Sequence, residues 1–157
     1  MKQTLFYLIA LIICAATACA PKYSASKLPA EQIIFGNGGG FAGIETSFLL
    51  LDNGQIFKKI GQDSVWAAIK SANKKIAKQY FIEGRNLFTS VKDTINDPSN
   101  TYSFLELRDK QTGENPRRFV WSRTKSPSHK SADIFYRALN LLVQEPKKIE
   151  PTQTPNR

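Results

Sequence analysis

Few residues in this chain are suited to covalent or acid–base chemistry. It has one histidine, His129, and two cysteines, Cys14 and Cys19. His129 lies in Thr124-Lys125-Ser126-Pro127-Ser128-His129-Lys130, where neighbouring cations disfavour its protonation. A Ser–His–Asp site using it would need a presented nucleophile, and the sequence has no Gly-x-Ser-x-Gly elbow. Asp93 and Asp97 sit in a turn-rich stretch where carboxylates cap and solvate. One histidine and two thiols do not make a zinc site. The expectation is a protein with no catalytic residues, no metal and no cofactor, an unrecognised hydrolase being the enzymatic alternative.

Cys19 has a different chemistry. Lys2, the apolar run from Leu5 to Ile13 and the small residues up to Ala18 follow the pattern of a secretory signal peptide. The apolar stretch from Leu5 to Ala20 covers about 16 residues, short of the roughly 20 that cross a bilayer. An uncleaved anchor helix is the alternative. Ala16-Thr17-Ala18-Cys19 resembles a bacterial lipobox, with Ala16 where leucine is usual. In a lipobox the thiol is acylated and becomes the mature N-terminus; a cut by ordinary signal peptidase would fall before the same residue. Acyl chains contribute about 0.8 kcal/mol per buried methylene, so two or three hold a protein at a bilayer. The expectation is a signal peptide over 1–18, lipidation at Cys19, and an exported lipoprotein facing the periplasm or the cell surface.

The most distinctive segment is Phe35-Gly36-Asn37-Gly38-Gly39-Gly40-Phe41-Ala42-Gly43, which holds five of the nine glycines. A phosphate cradle needs a helix N-terminus after the glycines and, in one version, a Lys-Ser/Thr pair; neither follows here. Two readings are left. The glycines form a wide connection or bulge that needs positive φ, or Gly39, Gly40, Phe41, Ala42 and Gly43 form a protein-contact loop with Phe41 as anchor.

Charge is uneven along the chain. Six lysines and only Asp63 among acids lie between Gly54 and Tyr80, and five basic residues without an acid lie between Arg117 and Lys130. Lys70, Lys74, Lys78, Arg117, Arg118 and Arg123 are the candidate basic surface. It is either a solvated face or a contact for anionic headgroups or an acidic partner. Trp121, between Arg118 and Arg123, reads as core or as half of an aromatic pair, a contact platform being the alternative.

These residues must be positioned by a small domain. Residues 19–30 read as a lipid-anchored tether able to span about 35 Å, 31–145 as one α+β domain, and 146–157 as a disordered tail. Glu31–Phe35 and Ile44–Leu51 read as strands. Asp52-Asn53-Gly54-Gln55 signals a tight hairpin into Ile56–Ile60. The stretch from Ser64 to Glu83 reads as mostly helical, with Ile69, Ala72, Ile76 and Tyr80 on one face. A Ser71 cap starts a helix to about Ile82, with Gly84 as its stop, and Ser64 to Ile69 reads as helix or irregular. Tyr102–Arg108 and Arg117–Arg123 form a second hairpin, joined by turn chemistry around Gly113. Ser131–Val143 is a helix with Ile134, Phe135, Ala138, Leu139 and Leu142 as its stripe. The fold class is α+β: an antiparallel sheet of about five short strands, two hairpins plus an N-terminal strand, with two helices packed on one face.

Gly39-Gly40-Phe41-Ala42-Gly43 after a first short strand resembles emfourin, a bacterial protein inhibitor of thermolysin-like metallopeptidases. The order of elements over 31–145 is loosely similar, and the lipobox-like start and longer middle segment depart from that family. Asn37 and the Asp52-Asn53-Gly54 hairpin are also similar to uncharacterised lipoproteins of gliding and gut bacteria. The resemblance implies peptidase inhibition.

The totals fit this picture. In 157 residues, 41% hydrophobic content is too low for a polytopic membrane protein, and two cysteines cannot staple a disulfide scaffold. Lys and Arg number 22 against 13 Asp and Glu, a formal +9; loss of Lys2 with the signal peptide makes it +8. Export removes nucleic acid as a partner. The expected partners are a bilayer, through acylated Cys19, and an envelope protein such as a metallopeptidase. A structural or accessory subunit of an envelope assembly is the alternative role.

Overall fold

The computed structural model describes residues 23–62, 65–109, 116–124 and 130–144. Cys14, Cys19, the 1–18 signal peptide, the Gly113 turn, His129 and the 146–157 tail lie outside the described residues. The elements are β1 (Gln32–Gly39), β2 (Thr46–Leu50), β3 (Gln55–Ile60), β4 (Ala67–Ser71), α1 (Lys74–Ser90), β5 (Asn96–Asp97), β6 (Thr101–Arg108), β7 (Arg117–Ser122) and α2 (Lys130–Val143). One sheet runs β4-β3-β2-β1-β6-β7-β5. Every pairing is antiparallel except β5 on β7. The protein is α+β with a mostly antiparallel sheet, but of seven strands rather than about five.

The two extra strands are both edges. All five residues of β4 are exposed, so it carries no in–out alternation to read. β5 is only two residues long. With Ser71 inside β4, Asn73 caps α1 instead, its side chain accepting from the Lys75 N–H at 2.8 Å. The helix continues through Gly84 to Ser90, because Gly84 is buried against Ile33 and Phe135. Its core stripe is therefore Ala77, Phe81, Gly84, Leu87 and Phe88, and Ile76 is exposed. In α2 the buried residues are Ala132, Phe135 and Leu139, with Ile134 exposed.

Strand alternation sorts the sheet into two faces. On one, Ile33, Phe35, Leu50, Ile56, Leu105, Leu107, Phe119 and Trp121 join the buried residues of both helices in a single core. Phe88 of α1 stacks on Phe119 at 4.3 Å, and Trp121 meets Tyr136 of α2 edge-on at 5.4 Å. The helices lie across the strands. Ala72, just before α1, donates to the Gly54 carbonyl beside β3, while Arg117 of β7 reaches the Phe88 and Val91 carbonyls at the helix's other end. At 1.5 Å per residue α1 is about 25 Å long, enough to cross the four inter-strand gaps of about 4.8 Å from β3 to β7. α2 returns the other way, from Trp121 to the Gln144 carbonyl, which accepts from Lys70 of β4 at 3.3 Å.

Among the described residues, no helix covers the other face. Ile34, Leu49, Leu51, Phe57 and Phe104 form a second buried cluster, covered by Tyr23, Leu28, Trp66, Tyr102 and Val120. Residues 23–30, in the segment expected to be tether, are fixed to the domain. The Tyr23 N–H donates to Gln55 Oε1 at 2.6 Å, Gln55 Nε2 returns to the Tyr23 carbonyl at 3.1 Å, and Gln32 Nε2 donates to the Pro29 carbonyl at 2.6 Å.

Two tests follow from this packing. A Cβ on Gly36 would overlap the Thr46 carbonyl oxygen and lie 2.9 Å from the Phe104 ring, whereas one on Gly40 would meet nothing. Gly36→Ala should cost about 3 kcal/mol by forcing β1 and β2 apart. Gly40→Ala should cost about 1 kcal/mol, for its positive φ alone; urea unfolding compares them. Tyr80 donates to the Ala138 carbonyl at 3.0 Å, tying α1 to α2, and burial, then the Glu83 charge, raises its pKa above 10.0. Both states are protonated below pH 10, and the unfolded state ionises first above it. Stability is therefore fully present below pH 10 and lost as pH rises through the folded value. Tyr80→Phe should show a smaller alkaline loss in thermal melts across that range.

Candidate protein-contact site

The hairpin joining β1 to β2 is shaped by what its glycines must avoid. Phe104 and Tyr102 of β6 lie opposite Gly36 and Gly38, and a Cβ on Gly38 would come 2.6 Å from the Tyr102 hydroxyl. Both glycines therefore belong to the strand, which continues two residues beyond Asn37. The turn begins at Gly39 and Gly40, with φ of 91° and 77°, a region costly for other residues. The Gly40 N–H donates to the Asn100 carbonyl at 2.5 Å, and the Gly43 N–H closes back on the Gly40 carbonyl at 3.1 Å. One root of the tip is thus pinned to the loop before β6.

The other root is pinned by Glu45. Its Oε1 accepts from the Ser47 hydroxyl at 3.1 Å, and its Oε2 accepts from the Tyr102 hydroxyl at 3.1 Å and Arg118 Nη2 at 2.6 Å. The Glu45 carbonyl accepts from the Gly61 N–H at 2.8 Å. Arg118 lies over the Phe104 ring, 4.1 Å from its centroid, with Nη1 3.7 Å from Glu106 Oε2; Glu106 also pairs with Arg108 at 2.6 Å. The result is a charged lattice laid over the helix-free face. Burial, then the Glu45 charge and hydrogen bond, raises the Tyr102 pKa, and Arg118 opposes the shift.

Between these fixed roots the tip projects. Phe41 is fully exposed and Ile44 about half exposed, 111% and 52% of their reference areas. Ile60, opposite Thr46 at the same end of the sheet, is 51% exposed. Gly39 is the last residue of β1, and Gly40, Phe41, Ala42 and Gly43 form the turn.

The candidate basic residues do not form one patch. Arg117 is drawn inward to the last carbonyls of α1, where a cation also suits the helix dipole. Arg118 belongs to the Glu45 lattice. Arg123 lines a groove of about 550 Å³ along α2, with Asn37, Tyr136, Asn140 and Leu141. Lys70 points to α2, and Lys74 and Lys78 are exposed on α1. Asp93 and Asp97 are exposed; Trp121 is buried and paired with Tyr136. Among the described residues, no three His, Cys, Asp or Glu side chains group as metal ligands, and no helix is long and apolar enough to cross a membrane.

Glu45 is the residue that sequence reasoning missed. Glu45-Thr46-Ser47 carries the local signal, a carboxylate two residues before a hydroxyl at a strand start, but its arginine lies 73 residues away.

Glu45→Gln removes the charge that Arg118 and Tyr102 share. Tyr102 should then ionise nearer pH 10.0 in spectrophotometric titration. Stability should fall by about 0.5–1 kcal/mol, the range for a partly exposed pair, and the amides of residues 43–46 should exchange faster. An unmoved Tyr102 titration would show that Glu45 does not govern the lattice.

No family model matches the chain, and no curated protein matches it.

Proposed function

We propose that this chain is an exported lipoprotein, acylated at Cys19, whose domain binds another protein of the cell envelope through the β1–β2 hairpin tip. The observation that carries the reading is Phe41. An aromatic side chain stands fully exposed on a turn whose two roots are fixed by Asn100 and by Glu45. Burying such a side chain against a partner stabilises a complex by about 2–3 kcal/mol. A turn already held in shape loses little entropy on docking, so more of that gain survives as affinity. Ile44 widens the apolar contact, and the lattice behind it supplies polar groups for a rim.

The resemblance of Gly39-Gly40-Phe41-Ala42-Gly43 to emfourin gives the partner a class, a thermolysin-like metallopeptidase. The acylated protein, incubated at micromolar concentration with such a peptidase from the same genome, should slow peptidolysis. Phe41→Ala should weaken that effect at least tenfold while leaving the unfolding midpoint unchanged, because the side chain is fully exposed. Unchanged peptidolysis with the wild-type protein would remove the inhibitor role for that enzyme. Recovery of a membrane assembly in pull-downs, lost with Phe41→Ala, would then assign the tip to an accessory subunit.

A further inference from the structure

We infer that the pole of the sheet opposite the hairpin tip faces the bilayer, with Lys74, Lys75 and Lys78 of α1 meeting anionic lipid headgroups. The inference rests on acylation of Cys19 and adds to it an orientation and a second, electrostatic contact.

Tyr23 is held to Gln55 by two hydrogen bonds. Gln55 begins β3 opposite Ser71, whereas Ile60, at the other end of β3, pairs with Thr46 beside the tip. Entry and tip therefore lie at opposite ends of the strands, separated by about 26 Å over an eight-residue β1. Four chain steps connect Cys19 to Tyr23, spanning at most about 14 Å. A lipid on Cys19 keeps the Tyr23 pole close to the membrane and the Phe41 tip turned away from it.

The same pole carries α1's cations. Ala72 bonds to Gly54, which sets the helix start there, and Lys78 shares a cleft with Glu31, Asp52, Ile82 and Arg85. Tyr23 lines the adjoining cleft with the same Glu31 and Asp52. Lys74 and Lys75 lie one turn before Lys78, on the same side of the helix. All three lysines are exposed. Of the nearby acids, Glu31 accepts from Arg85 at 3.1 Å, and Asp52 keeps its Oδ1 buried, away from a headgroup layer. Exposed Ile82, one turn after Lys78, gives the face an apolar residue at headgroup depth. Lysine, with a compact ammonium on a flexible stem, suits a diffuse layer of phosphates. Its attraction fades within about 8 Å at physiological salt, so it acts only if the pole is held near the surface.

The mature chain keeps Cys19 as its sole cysteine, and acylation blocks that thiol, so a cysteine introduced at Ile82 or at Ala42 can be labelled alone. The acylated protein, labelled at one or the other site, is placed in vesicles containing about a third anionic lipid and headgroup-attached quencher. The label at 82 should be quenched several-fold more than the label at 42. Neutralising Lys74, Lys75 and Lys78 to Gln, or adding about 0.5 M salt, should shrink the difference to less than half. Equal quenching, or stronger quenching at 42, with the acyl mass present on Cys19, would overturn the orientation and leave the lipoprotein reading standing. An unmodified Cys19 by mass spectrometry, with protein that does not float with vesicles, would overturn both.

Discussion

β1 passes between β2 and β6 with Gly36 and Gly38 beneath the rings of Phe104 and Tyr102, and the helix-free face depends on that fit. A side chain at Gly36 would push either the Thr46 carbonyl or the Phe104 ring out of place. With hydrogen in both positions, the rings lie against the central strand and take the space of the missing side chains. Arg118 can then stack on Phe104, which brings its guanidinium to Glu45 and Glu106. Glu45 in turn fixes the root of the hairpin. One glycine run thus has two physical tasks: close packing at Gly36 and Gly38, and chain reversal from Gly39 to Gly43.

A sheet with helices on one side has an apolar face left to shield, and the solution here is economical in residues. Ile34, Leu49, Leu51, Phe57 and Phe104 are buried by Tyr23, Leu28 and Trp66 from outside the sheet and by Tyr102 and Val120 within it. The segment 23–30 is therefore part of the fold. In the proposed lipoprotein, its attachment through Gln55 also decides which end of the domain faces a membrane. Arg85 joins the same region to the helical side, reaching from α1 to Asp109 at the end of β6 and to Glu31 just before β1. The Asp109 side chain is inaccessible to solvent, and Arg85 is a cation that balances its buried charge.

The elements with strong patterns were legible. Phe104, Leu105 and Leu107 and the Asn53-Gly54 turn identify β6 and the β2–β3 hairpin from local sequence alone. What escaped depends on distant contacts. β4 is recognisable only as the partner of β3, since Ala67–Ser71 has no buried side. Gly84 looks like a helix stop until Phe135, some fifty residues on, is seen packed over it. The glycine run was legible as unusual, with both a structural and a contact reading open. The structure divides it between strand and turn, a division that follows from Tyr102 and Phe104. Residues 23–30 lack periodicity because they follow the sheet surface without joining its ladder.

The positive charge sorts by side-chain chemistry. Arg85, Arg108, Arg118 and Arg137 pair with Glu31, Asp109, Glu106, Glu45 and Asp133, and Arg117 takes helix carbonyls. Planar guanidinium groups suit such directed, partly buried contacts. Among the described residues, the carboxylates in ion pairs are held by arginine. Lys74, Lys75 and Lys78 are exposed at one pole. The formal excess read from composition is consequently a property of particular surface regions. A surface of unengaged lysines at the pole where the chain enters the fold attracts anions only weakly by itself. In the proposed lipid-anchored protein, with Cys19 at most about 14 Å from Tyr23, the same lysines would lie in a concentrated field of phosphates, where each would add its pull without having to bring the protein there.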